Sequence, residues 1–217
     1  MKKIGLLFIG LFISFNILGQ NTATQAKNLL DEVSNKMGAY NNMIIGFNST
    51  LINKEAGITN DPPIRGKITL AGEKYNLDYL GNNFVFDGTK LVVINQEEKE
   101  VNISNGDLEE EDGFIYPSKL LTFYKEGYNF SMGKLTNNKG RKIQLVNLTP
   151  IDSNSDIIKV QLGIDAKTKH IYKLVQIGSN GAETTFTITA FKSNQPISKN
   201  LFSFNKDKYI KQGYYID

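Results

Sequence analysis

The sequence has no cysteine and no tryptophan, one histidine, and five prolines in 217 residues. Without cysteine there is no disulfide, no thiol nucleophile, and no residue to carry a lipid at a signal cleavage site. One histidine and no cysteine leave a zinc centre or a Cys/His dyad without parts. That histidine, His170, falls in a hairpin-like stretch, where a solvated side chain is expected. No Walker A loop, dinucleotide glycine fingerprint or G-x-S-x-G elbow occurs. Catalytic residues, metal ligands and cofactors are therefore not assigned, and a non-enzymatic role is expected.

An excess of one charge is also missing. Lys and Arg number 25 against 22 Asp and Glu, a formal +3, and Lys2 and Lys3 account for two of those charges. A near-neutral chain argues against nucleic-acid binding, where clustered basic charge supplies most of the affinity. The lysines look scattered along the chain, not gathered in a patch. The densest acidic run, Glu109 to Asp112 in "DLEEEDG", reads as solvated loop charge. Paired carboxylates could support glycoside hydrolysis, yet only Asp87 has a meaningful position. Asp87-Gly88 stands between two apolar runs in "FVFDGTKLVVI", the strongest short-range hairpin signal, with φ > 0 expected at both residues.

The chain opens Met1-Lys2-Lys3, runs apolar from Ile4 to Phe15 and through Ile17-Leu18, and ends the run at Gly19. This is the layout of a cleaved secretory signal peptide over residues 1–19. The run is shorter than the roughly 20 apolar residues of a membrane span, and Ser14 and Asn16 interrupt it. Residues 20–217 then form one domain, exported without disulfides, which points to a bacterial periplasm.

Ala26, Leu29, Leu30, Val33, Met37 and Tyr40 fall at helical spacing, opposite Lys27, Asp31, Glu32 and Lys36, so an amphipathic helix is expected. From Met43 the period changes to two. Alternation through successive segments predicts about ten or eleven short antiparallel strands, in a sheet large enough to curl. "EAGITNDPP" (Glu55 to Pro63) is a loop. "YPSKLLTFYKEG" is a short helix, with Pro117 at its start and Gly127 just past its end. The fold class is β-rich α+β.

Phe47, Leu51, Ile68, Leu70, Tyr75, Leu77, Phe84, Phe86, Leu91 and Val93 occupy alternate positions of successive strands. With Leu120, Leu121 and Tyr124 of the short helix they could form one apolar wall. Two readings follow from the pattern: an ordinary core under the N-terminal helix, or a wall too broad for the helices to cover, leaving a cavity for an apolar ligand.

The order of these parts resembles the outer-membrane lipoprotein carrier family of LolA type over nearly all of the chain after residue 19. The resemblance rests on "ATQAKNLLDEVSNKMGAYNNM" running into "IIGFNSTL", then "GKITLAGEKYNLDY", "FVFDGTKLVVINQEEKEV", "YPSKLLTF" and "IIKVQLGIDAKTKHIYKL". It implies an incomplete antiparallel β-barrel, LolA/LolB-like, with a helical lid over an apolar lipid-binding cavity. It also implies a monomeric periplasmic chaperone that takes acylated lipoproteins from an inner-membrane ABC transporter to the outer membrane. The family often carries a lid-latching arginine; "LAGEKYNLDY" has none, and Arg65 lies in the preceding strand. Another amphiphile (a glycolipid or phospholipid) on the same fold, or a non-lipid envelope binding or structural role, is the alternative.

Overall fold

The computed structural model describes residues 9–107 and 117–217, with side chains from residue 22 onward. The first eight residues of the expected signal peptide and most of the acidic loop lie outside the described residues. Helix α1 spans Ile9–Gly38. Its stripe Ala26, Leu30, Val33 and Met37 is almost fully buried, as the 3.6-residue period requires. No helix among the described residues is long and apolar enough to cross a membrane.

Twelve strands follow: β1 (Met43–Ile52), β2 (Ile64–Ala71), β3 (Lys74–Tyr79), β4 (Asn82–Phe86), β5 (Lys90–Asn95), β6 (Glu100–Asn105), β7 (Tyr128–Asn138), β8 (Arg141–Pro150), β9 (Ile157–Asp165), β10 (Ile171–Gly178), β11 (Glu183–Ser193) and β12 (Tyr215–Ile216). They form one open sheet in the order β12-β6-β5-β4-β3-β2-β1-β11-β10-β9-β8-β7. The expected meander is present, and β12 is an added strand, paired parallel to β6 through Tyr215–Glu100 and Ile216–Val101.

Residues directly opposite one another in antiparallel strands share a face. The register therefore makes two unbroken rows, Met43–Leu70–Tyr75–Phe86–Leu91 and Ile45–Ile68–Leu77–Phe84–Val93. On the other half of the sheet, Phe186–Leu174–Leu162–Val146–Met132 continue the same face. All of these pack with the α1 stripe in one cluster. The sheet is thus curled around the helix, and much of the wall is core beneath it.

The opposite face of β4–β6 is also apolar. Val85, Val92, Ile94 and Val101 are buried there under Phe204, Tyr209, Tyr214 and Ile216 of the C-terminal segment. Helix α2 (Lys206–Lys211) belongs to that segment, and the Asn205 side chain caps it by accepting from the Lys208 N–H at 3.0 Å. This second, smaller core explains why "LVVI" is apolar at consecutive positions: both faces of the strand are covered.

The described part of "YPSKLLTFYKEG", residues 117–127, folds not as one α-helix but as two 3-10 turns, Pro117–Lys119 and Phe123–Lys125. A segment this short gains too few helical hydrogen bonds to offset nucleation. Its shape is set by seating Leu120, Leu121, Phe123 and Tyr124 against the wall. At Asp87-Gly88 only Gly88 has positive φ, at 96°. The Asp87 carboxylate accepts the N–H groups of Thr89 and Lys90, both at 2.8 Å, and its own N–H donates to the Lys90 carbonyl at 3.2 Å, so Asp87 flanks the turn and Gly88 and Thr89 are its central residues. Those amide bonds hold its carboxyl below the usual carboxylate range despite the opposing effect of burial. The acid has a structural partner set and flanks a turn.

Candidate apolar cavity under the short helical segment

A cavity of about 470 Å³ lies where the end of α1, the β2–β3 turn and the first 3-10 turn meet. Its size falls within the ~300–1,000 Å³ of small-molecule pockets. Met43, Leu70 and Phe86 from one row of the wall line it, with Leu120 and Leu121 from the 3-10 segment. Glu73, Asp107, Ser118 and Lys119 supply its polar lining. Such a pocket can shelter an aliphatic chain and leave a polar end at the rim.

The segment over the cavity is tied down by side chains. The Tyr75 hydroxyl donates to the Asp107 carboxylate at 2.6 Å, and the Ser118 hydroxyl donates to the other oxygen of the same carboxylate. Tyr75 is fully buried; burial and the neighbouring Asp107 charge push its ionisation far above the ordinary tyrosine value. A second tie runs from the Tyr124 hydroxyl to Asp31 of α1 at 2.9 Å. Burial foremost pushes the Tyr124 pKa up to about 12, with Ser34 opposing and Asp31 adding to the shift. Asp31 in turn pairs with Lys27 at 2.7 Å, and that bond holds its carboxyl low.

Of the residues expected in the lipid-binding cavity, Leu70, Phe86, Leu120 and Leu121 line this space. Ile68, Tyr75, Leu77, Phe84, Leu91 and Val93 stand in the same two rows but pack within the core. Phe47 is buried beyond them, its ring over Gly66. Tyr124 is buried beside α1 and serves as a tie. Leu51 is not brought under cover. It is 43% exposed at the far end of β1, where Ile64 and Ile158 are exposed as well. Met43, Ser34 and Asp107 line the cavity without having been expected there; only Met43 carried a signal, as the first apolar residue of the alternation.

A second cavity, about 630 Å³, opens between β10 and β11. Their pairing stops at Lys173–Thr187, so Ile171 and Tyr172 have no partner on β11. His170 stands in this gap and is not a freely solvated turn residue. Its Nε2 shares a 2.9 Å hydrogen bond with the Tyr40 hydroxyl, and its ring lies 4.3 Å from that of Phe191. Burial, reinforced by Lys36 and partly offset by Asp165, holds its pKa below the ordinary value.

A histidine kept neutral by the fold lets the unfolded chain take up the proton first. The stability it contributes is full above pH 6.5 and is lost as pH falls through that value toward the lower folded one. With no other histidine in the chain, a His170→Gln variant is expected to flatten the decline in urea midpoint between about pH 7.5 and 5.5. An equal decline in both proteins would remove His170 as its source.

The structure defines a class: an open, twelve-stranded, mostly antiparallel half-barrel wrapped on an amphipathic helix, with a cavity under a short strap. The family model "Outer membrane lipoprotein carrier protein LolA" matches residues 80–205, more than half of the chain, and the chain belongs to that family. Among solved structures it is similar to an uncharacterized conserved protein from Thermus thermophilus, with a TM-score of 0.56 at 10% identity, over 84% of this chain and 96% of that one. A DUF1329 family protein from Desulfovibrio piger gives a TM-score of 0.50 at 9% identity, over 87% and 99%. A LolA superfamily protein from Nitrosomonas europaea gives 0.43 at 10%, over 84% and 98%. At these identities the likeness to solved structures concerns the fold. A comparison with curated protein sequences finds no match.

Proposed function

We propose that the chain is a non-catalytic periplasmic carrier that shelters the acyl chains of lipoproteins and moves them from the inner to the outer membrane. The observation that supports it is the union of an apolar cavity with a strap fastened by side-chain hydrogen bonds. An acyl chain in water costs about 0.8 kcal/mol for every exposed methylene, so it leaves a membrane only for an equally apolar shelter. Met43, Leu70, Phe86, Leu120 and Leu121 offer that shelter. A strap that can lift gives reversible entry. On this reading the partners are acylated lipoproteins and an inner-membrane lipoprotein-releasing transporter.

Native mass spectrometry of the purified protein is expected to show co-bound acyl species, whose masses tell a lipoprotein from a glycolipid or phospholipid. Leu121→Asp places a charge in the cavity lining from a partly buried position, where an ionised carboxylate is costly. It should reduce the bound fraction at least about tenfold, since about 1.4 kcal/mol suffices for that factor, while far-UV dichroism stays native. A substitution at Phe86 is less clean, because Phe86 is buried against Tyr75 at 5.4 Å. Full acyl occupancy in folded Leu121→Asp would remove this cavity as the site. Depletion of the protein in its host should strand lipoproteins in the inner membrane; unaltered sorting would remove the transport role.

A further inference from the structure

The lysines that look scattered in the sequence are gathered by the fold. Lys139 lies in the β7–β8 turn, Arg141 and Lys142 begin β8, and the β9–β10 turn carries Lys167 and Lys169. Pairing of β8 with β9 sets the two tips side by side: Ile143 opposes Asp165, and the Ala166 N–H donates to the Lys142 carbonyl at 2.9 Å.

The acids nearby are already engaged. Asp165 is buried; its Oδ1 accepts the N–H groups of Lys167 and Thr168, and its Oδ2 lies 3.4 Å from the Arg141 Nε. The Arg141 guanidinium also lies 5.0 Å over the Tyr172 ring. Glu32 pairs with Lys169 at 3.0 Å. Lys139, Lys142 and Lys167 are exposed and make no salt bridge among the described residues. At the other ends of the same strands the balance reverses, with Glu126, Asp152 and Asp156 against Lys125 and Lys159. One half of the sheet is therefore polarised along its strands.

We propose that these two turn tips dock the protein on an anionic phospholipid bilayer. Charge complementarity names the partner. The tips present cations on two protruding turns, with no exposed acid within either turn, and a Debye length of about 8 Å lets neighbouring charges act together. Each lysine or arginine near an anionic bilayer strengthens association about fivefold. The second cavity is lined by Lys139, Arg141 and Thr168 of these tips, whereas the first lies on the other half of the sheet beside Glu73 and Asp107. A docked protein would thus bring the second cavity next to the lipid. The charge distribution stands without the acyl-carrier reading; only the benefit of that orientation rests on it.

Flotation with phosphatidylcholine vesicles, with and without phosphatidylglycerol, tests the surface at low and high salt using the full chain without bound additions. Wild type is expected to float with the phosphatidylglycerol vesicles only, and to be released by salt. The exposed triple variant K139Q/K142Q/K167Q should bind about a hundredfold more weakly, with an unchanged melting temperature. K125Q/K159Q, at the opposite end of the strands, should bind like wild type. Equal flotation on both vesicles, or undiminished binding by the triple variant, overturns the proposal. So does release by millimolar glycerol phosphate, which would mean a pocket for single headgroups. Failure to float, with crosslinking of the same lysines to an acidic envelope protein, would assign the patch to a protein partner instead. Because flotation reads surface association and not acyl occupancy, its failure leaves the mass-spectrometric test of the cavity separate.

Discussion

Gly66→Val is expected to destabilise the protein by about 3 kcal/mol, lowering its melting temperature by roughly 6–12 °C. Gly66 opposes Phe47 directly across the β1–β2 pair. A Cβ at position 66 would lie 2.1, 2.5 and 2.8 Å from three atoms of the Phe47 ring. No contact of that length survives, so the ring or the strand must move. The ring is not free to do so. It is buried, with the Tyr79 ring 5.5 Å away and the Phe186 ring 5.7 Å away, and Tyr79 is held by a 2.7 Å hydrogen bond to Ser49. The glycine is there for close approach, not for a left-handed backbone. A double-mutant cycle tests that cause. Phe47→Ala alone should cost about 3–5 kcal/mol. Adding Gly66→Val to it should cost about 1–3 kcal/mol less than adding it to wild type, because the methyls enter the space the ring vacated. An equal cost in both backgrounds would show that the ring is not what demands glycine.

The same pair illustrates which parts of the fold were legible in the sequence. Period-two alternation needs only neighbours along the chain, so both rows from β1 to β5 could be read, as could the α1 stripe. The turn at Asp87-Gly88 was legible as a turn. Its type was not, because that depends on a carboxylate reaching the amides of Thr89 and Lys90. Consecutive apolar residues such as Leu91 to Ile94 hid a second face, covered by Phe204 and Tyr214 from far along the chain. The basic tips were hidden for the same reason: Lys142 and Lys167 meet only through the β8–β9 register. Within the candidate site, the apolar lining was partly legible, since Leu70 and Phe86 belong to a periodic pattern. Its fastening was not. Asp107 has no periodic signature, and its partners lie on β3 and on the strap.

Asp107→Ala is expected to loosen the strap and speed the exchange of a fluorescent fatty acid by about 10- to 100-fold. One carboxylate joins two parts of the molecule, accepting from Tyr75 in the wall and from Ser118 in the strap. Hydrogen bonds to a charged group contribute about 1.5–3 kcal/mol, and about 1.4 kcal/mol shifts an opening equilibrium tenfold. Alanine also leaves the hydroxyl of the fully buried Tyr75 without this acceptor, which adds a desolvation cost to the closed state. Ser118→Ala removes only the strap's half of the link and should have a smaller effect. Tyr75→Phe removes the other half with almost no change in volume. The Tyr124–Asp31 bond remains in each case, so the strap should loosen without detaching, and Tyr124→Phe combined with Ser118→Ala should exceed either alone. Hydrogen exchange locates the change: amides of residues 118–125 should lose protection in Asp107→Ala, while those of β8 and β9 keep theirs. A uniform loss across the sheet would mean that Asp107 supports the fold as a whole, and unchanged fatty-acid exchange would mean that the cavity is entered by another route. The expected result ties entry to the carboxylate that joins the wall to the strap.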